Sequence, residues 1–101
     1  MNVERTFQGI RFEWDSDKAA TNVAKHGVSF DEASTTFEDV LSITISDPLH
    51  SEDEERFVLV GHSCRDRLLV VVHTYRGDRI RIISARPATR VERTRYEEEA
   101  R

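Results

Sequence analysis

The sequence predicts an α+β fold: one domain of 101 residues built on an antiparallel β-sheet with helices packed on one face, in the order β-α-α-β-β-β-β-α. Three observations lead there. Two helical segments with clear start and stop signals come early in the chain. Four segments of strand character then follow with no helix between them. A capping motif near the C-terminus opens one last helix. A chain this short buries a single modest core.

The first strand is "IRFEW", residues 10–14, where aromatic and β-branched residues alternate with polar ones. "DSDKAATNVAKHG" follows, with Asp15 or Ser16 as N-cap and Gly27 at the left-handed C-terminal position, so a helix is expected over 16–26. In "SFDE", Ser29 with Glu32 three residues later reads as a capping box. It opens a short second helix with Phe30, Ala33 and Phe37 on its apolar side. "LSITISD" (41–47) alternates strictly: Leu41, Ile43 and Ile45 point one way, Ser42, Thr44 and Ser46 the other. Pro48 ends that strand, and "PLHSEDEE" is a polar, acidic loop.

"RFVLVGH" (56–62) is the next strand and "SCRDR" a turn. The continuous apolar run "LLVVVHTY" (68–75) suits a strand near the sheet centre. "RGD" (76–78) makes a tight hairpin connection, with Gly77 free to take positive φ. "RIRIISA" (79–85) is the last strand, and "TRVE" (89–92) a second capping box opening the C-terminal helix. Ser42, Thr44, Ser46, Arg79 and Arg81 are expected together on the sheet's polar face.

The charge pattern narrows the function. The chain carries 15 basic and 19 acidic residues, a net charge of −4, which argues against non-specific coating of DNA. Thirteen of the basic residues are arginine, and six of them fall within "RIRIISARPATRVERTRY" (79–96). Arginine's planar fork binds phosphate and carboxylate bidentately. A partly polar sheet face with converging arginines is a plausible RNA-binding surface. The single Cys64 excludes an internal disulfide framework and fits a reducing compartment. No apolar run reaches the length of a bilayer, and "MNVERTFQGI" has no signal core. A soluble cytoplasmic protein without membrane contact is expected.

The motifs "FEWD..K...N..KHGVSF.EA...F.D", "D..HS..EERF...G" and "RIISAR.AT..ER..YE" together resemble the BrnT family of toxins from type II toxin–antitoxin systems, over nearly the whole chain from Phe12 to about Glu98. The resemblance implies a RelE/ParE-like fold and a ribonuclease that blocks translation. It implies a partner, the BrnA antitoxin, a ribbon-helix-helix DNA-binding protein. Toxin and antitoxin would form a hetero-oligomer that represses its own promoter, with DNA touched only through the antitoxin. The family pattern matches at Lys25, His26, Asp47, His50, Glu55, Arg56, Arg81, Arg86, Arg90 and Tyr96.

Metal-free RNA cleavage needs a base for the 2′-OH proton, cations for the charge on phosphate and an acid for the leaving 5′-oxygen. With the family match, the candidate catalytic residues are Arg81, Arg86, His50, Glu55 and Lys25, and Arg56, Arg90, His26 and Tyr96 are candidates for binding RNA phosphate. Each has a structural alternative. Arg81 can pair with a carboxylate, and Arg86 with a helix end or the acidic loop. Lys25 and His26 can simply complement a helix C-terminus. Arg56 can join Arg81 in a two-arginine clamp, or Glu55-Arg56 can form cross-strand ion pairs. Arg90 sits in the first turn of a helix, where a cation is unfavourable. His50 can order its loop, and Tyr96 can be a core-edge aromatic. His62 and His73 read as sheet residues, and Arg79, Arg93 and Arg95 as surface charges.

No cofactor is expected. Asp47-x-x-His50 is too little to specify a metal, and Cys64 has no evident base. The alternative function is a non-catalytic module that binds its partner and acts only in co-repression. A gyrase poison is a third reading, since such folds host more than one target.

Overall fold

In the computed structural model, residues 1–47 and 54–100 are described. The α+β class holds, and the expected element order is preceded by one more strand. β1 (Asn2–Phe7) and β2 (Ile10–Asp15) form a hairpin. α1 (Ser16–His26), α2 (Phe30–Thr35) and a 3₁₀ turn (Thr36–Glu38) follow. Then come β3 (Ile43–Ser46), β4 (Phe57–His62), β5 (Leu68–Arg76), β6 (Arg79–Pro87) and α3 (Arg90–Glu99).

The six strands form one sheet in the order β1-β2-β6-β5-β4-β3. The expectation of an antiparallel sheet is corrected at one seam. β2 runs parallel to β6, with Arg11, Phe12 and Glu13 opposite Arg79, Ile80 and Arg81. The chain leaves β2 through helices on one face and returns through a meander from the far edge, which brings β6 beside β2 in the same direction.

α1 starts and stops where its capping residues require. The Asp15 carboxylate accepts from the Lys18 N–H at 3.0 Å, and Gly27 closes the helix at φ 67°. α1, α2 and the 3₁₀ turn cover one sheet face. The core lies there: Phe12 and Trp14 from β2, Val28, Phe30 and Ala33, Leu69 and Val71 from β5, and Ile82 and Ala85 from β6. Phe37 packs edge-on against Phe12 at 5.2 Å, and Phe30 against Trp14 at 5.9 Å. The Ser29–Glu32 box is only half formed. Ser29 Oγ accepts from the Glu32 N–H, but the buried Glu32 carboxylate turns to Arg67 and Ser63 instead.

α3 does not join the other helices. Its buried Tyr96 lies against Ile43, Ile45, Val58 and Val60, on the opposite face of the sheet. Those four apolar side chains need a cover that α1 and α2 cannot supply. In the β3–β4 register Thr44 opposes the buried Leu59, which places Thr44 and Ser46 on the side of α1 and α2, away from Arg79 and Arg81.

Two local features fix β6. The pairing with β5 slips between Val72 and His73, so that Ile83 is an extra residue. The slip reverses the alternation: Ile82 and Ala85 both enter the core, and Arg81, Ser84 and Arg86 share the other face. Beyond Arg81, β2 has already turned into α1, which leaves that edge of β6 uncovered. The buried Asn22 fills the place of the missing strand. Its amide donates to Ala85 O at 2.7 Å and to Val28 O at 2.9 Å, and its oxygen accepts from the Ala85 N–H at 3.1 Å.

Asn22→Ala leaves these backbone groups unsatisfied in a dry environment. We expect it to lower unfolding free energy by about 2–3 kcal/mol, read as a fall in the urea midpoint with unchanged m-value. An unchanged midpoint would show that Asn22 does not hold α1 to β6.

Candidate functional site

The sheet face opposite α1 and α2 carries the arginines. Glu4 and Glu13 stand directly opposite each other across β1 and β2, an unfavourable pairing unless a cation joins them. Arg79 does so, at 3.3 Å from Glu4 and 3.5 Å from Glu13. Glu13, only 5% exposed, also takes Arg81 Nη1 at 2.5 Å. The same Nη1 donates to Asn2 Oδ1 at 2.8 Å. Arg81 is therefore held through one corner of its guanidinium. Its Nε and Nη2 have no hydrogen-bond partner among the described residues, and its side chain is 19% exposed. Arg11 completes the group with Asp78 at 2.6 Å and Glu4 at 3.9 Å.

Register carries this row across the sheet. Arg81 opposes Thr74, and extending the β4–β5 pairing by one residue brings Arg56 to the other side of Thr74. The buried Thr74 hydroxyl donates to Glu55 O at 2.6 Å, which fixes the chain where it enters β4. Arg56 and Arg81 thus flank one residue, as a two-arginine clamp requires. Glu55 is exposed beside them.

Arg86 belongs to a second group. It faces the same way as Arg81 but pairs with Val70, four residues along β5 from Thr74, so the two arginines lie about 13 Å apart along the strand. Its two Nη atoms bind the two Glu92 oxygens at 2.8 Å each. Glu92 also accepts from the Thr89 N–H at 2.8 Å, while Thr89 Oγ1 accepts from the Glu92 N–H at 3.2 Å, so the predicted capping box is complete. The Arg86 guanidinium, helped by the Thr89 groups, pulls the Glu92 carboxyl down to about 2. Arg90 is exposed on the first turn of α3.

Tyr96 does not reach an RNA surface: it is 4% exposed, and its hydroxyl donates to Asp39 Oδ2 at 2.6 Å. Burial and then the Asp39 carboxylate push the phenol up to about 12. Burial also opposes ionisation of Asp39, but the His62 N–H, the Tyr96 hydroxyl and the Leu41 N–H outweigh it and hold the carboxyl below its usual range. Since the Tyr96 proton goes to Asp39, the phenol oxygen accepts from His62 Nδ1 at 3.1 Å.

Lys25 and His26 lie elsewhere, at the end of α1, in a groove beside Ile83 and Ser84. His50 lies outside the described residues. His73 is fully buried against Phe37, Phe57 and Tyr75, and burial pushes its pKa down, so it stays neutral. Among the described residues, no three His, Cys, Asp or Glu side chains are grouped to hold a metal. No helix among them is long and apolar enough to cross a membrane.

The family model for the ribonuclease toxin BrnT of type II toxin–antitoxin systems matches residues 14–92. The chain belongs to the BrnT family. The match runs from the end of β2 to the first turn of α3 and takes in Asn22, the β6 bulge and the Arg86–Glu92 pair. The crystal structure of the Brucella abortus ribonuclease toxin BrnT has the same fold, with a TM-score of 0.57 and 24% identity. The alignment covers 76% of this chain and 94% of that one. No curated protein matches the chain. As a type II toxin, a BrnT-family protein has an antitoxin partner.

Sequence reasoning missed Glu13, Asp39 and His62. Glu13 stands in a strand pattern where alternation marks it as solvent-facing. Asp39 and His62 are 23 residues apart and meet through a backbone N–H, through Tyr96 and by a 3.8 Å approach of His62 Nδ1 to Asp39 Oδ2.

The Arg86–Glu92 pair predicts an acid-sensitive α3. Glu92 stabilises the fold above the ordinary carboxylate pKa and ceases to as pH falls through about 2. With side chains 41% and 30% exposed, solvent screening limits the effect. We expect Glu92→Gln to cost about 1–2 kcal/mol at pH 7. The gap from wild type should narrow in urea titrations as pH drops below 4. A gap independent of pH would show that the pair is not what anchors α3.

Proposed function

We propose that this BrnT-family toxin is an endoribonuclease that cuts RNA without a metal ion, and so blocks translation in the cytoplasm. The observation that carries the reading is the family match over residues 14–92. The geometry around Arg81 supports it. A guanidinium fixed at one corner by Glu13 and Asn2 presents its remaining N–H donors at little entropic cost, as stabilisation of a developing charge requires.

In the proposed reaction a base removes the 2′-OH proton and O2′ attacks the adjacent phosphorus. The P–O5′ bond breaks, an acid protonates O5′, and a 2′,3′-cyclic phosphate remains. Arg81 steadies the phosphate, with Arg56 across Thr74 as its companion. Arg86 adds charge further along the face, while keeping α3 in place through Glu92. Glu55 and His50 are the candidates for proton transfer, and Lys25, set apart at the end of α1, holds phosphate instead. Arg90 and His26 bind flanking phosphates. Tyr96 acts through α3, by locking it to Asp39. The antitoxin is a BrnA-like ribbon-helix-helix protein that covers the toxin and carries the complex to its promoter.

The test is cleavage of labelled RNA by purified protein in EDTA. We expect wild type to cut, and Arg81→Ala, folded by circular dichroism, to lose about 10²-fold or more in rate. Absence of cleavage by folded wild type, with or without metal or ribosomes, would overturn the enzyme and leave a partner-binding co-repressor.

A further inference from the structure

The chain has only two lysines, Lys18 and Lys25, and both line one groove. The groove has a volume of about 300 Å³ and runs between α1 and the edge of β6 that β2 leaves uncovered. Lys18, Thr21, Lys25 and His26 form the helical wall, and Ile83 and Ser84 the strand wall. The two lysines are seven residues apart on α1, two turns, so they share a face about 10 Å apart. Asn22 lies between them with its amide fully occupied by Ala85 and Val28.

Charge sets this groove apart. Arg11, Arg79, Arg81 and Arg86 are all ion-paired. Neither lysine has an ion pair among the described residues, and the wall holds one carboxylate, Asp17. The groove also continues the arginine face. Ser84 opposes Val72, two residues along β5 from Thr74, so it lies about 7 Å from Arg81 along the strand and on the same face. A strand of RNA passing Arg81 meets Ser84 and the groove next.

We propose that this groove is an RNA-backbone subsite, in which Lys18 and Lys25 each hold a phosphate of the nucleotides next to the scissile bond. Thr21 and Ser84 hydroxyls donate to the same oxygens. The choice of RNA as ligand rests on the nuclease reading. The rigid helical spacing and the continuity with Arg81 fit a chain with charges at regular intervals. Lysine suits the task because an ammonium binds phosphate as a point charge, with no demand on orientation.

The test measures binding of 2′-fluoro RNA, which lacks the attacking hydroxyl, across a range of salt concentrations. Wild type is compared with Lys18→Gln, Lys25→Gln, the double variant, and Arg65→Gln, which removes an exposed charge between β4 and β5 that does not line the groove. We expect the double variant to bind about tenfold more weakly or worse, with the slope of log Kd against log salt reduced by about 1.4, two single-strand phosphate contacts. Arg65→Gln should leave the slope unchanged. Undiminished binding by the folded double variant, or an equal effect of Arg65→Gln, overturns the subsite. A wild type that shows the lysine effect but cuts no RNA would leave the groove standing and sink the nuclease.

Discussion

The amide of Asn22 stands where the next residue of β2 would stand, and much of the molecule depends on that substitution. β2 leaves the sheet at Asp15 while β6 runs on to Pro87. The edge thus exposed must find hydrogen bonds or be wetted. A side-chain amide offers the same donor and acceptor as a peptide unit, so one asparagine satisfies Ala85 in both directions. The bond also fixes the roll of α1 on the sheet. Lys18 and Lys25 then flank the contact, and a groove opens on either side of a closed point. A continued β2 would have filled that groove.

The bulge at Ile83 works with this edge. In an unbroken strand, residues five apart point to opposite faces. Arg81 and Arg86 are five apart, yet they share a face because the slip against Val72 and His73 adds one residue between them. The same slip lets Ala85 enter the core beneath Asn22. One irregularity therefore assembles the arginine face and seats the helix.

Local signals were legible in the sequence and long-range ones were not. Asp15, Gly27 and the Thr89–Glu92 box mark their helix ends because each acts within four residues. β1 escaped because "NVERTF" is polar and lies at the sheet edge, with only Val3 and Phe7 packed on the core. Its turn uses Gln8 at φ 51°, a residue that carries no turn signature. The parallel seam between β2 and β6, and the passage of α3 to the second face, depend on partners 68 residues distant in the first case and 36 to 53 in the second. Glu32 had the spacing of a capping box, but Arg67, remote in sequence, claimed its carboxylate. At the site, the arginine cluster was visible and its division was not. Composition says how many cations there are, and only the fold says which carboxylates they meet.

That division changes how an acidic protein would hold RNA. Around Arg81, three arginines (Arg11, Arg79, Arg81) face three carboxylates (Glu4, Glu13, Asp78). Such a balanced group exerts little field at a distance. On the proposed reading it would offer phosphate direction, since Arg81 is already fixed through Nη1 by Glu13 and Asn2 and keeps its other N–H donors. Attraction over a longer range needs unbalanced charge, and Lys18 and Lys25 supply it from the adjoining groove. Separating the two tasks also limits binding to the wrong polyanion. On the proposed reading, a phosphate chain drawn to the lysines would be held firmly only where it also met the open side of Arg81, and a net charge of −4 would discourage it everywhere else.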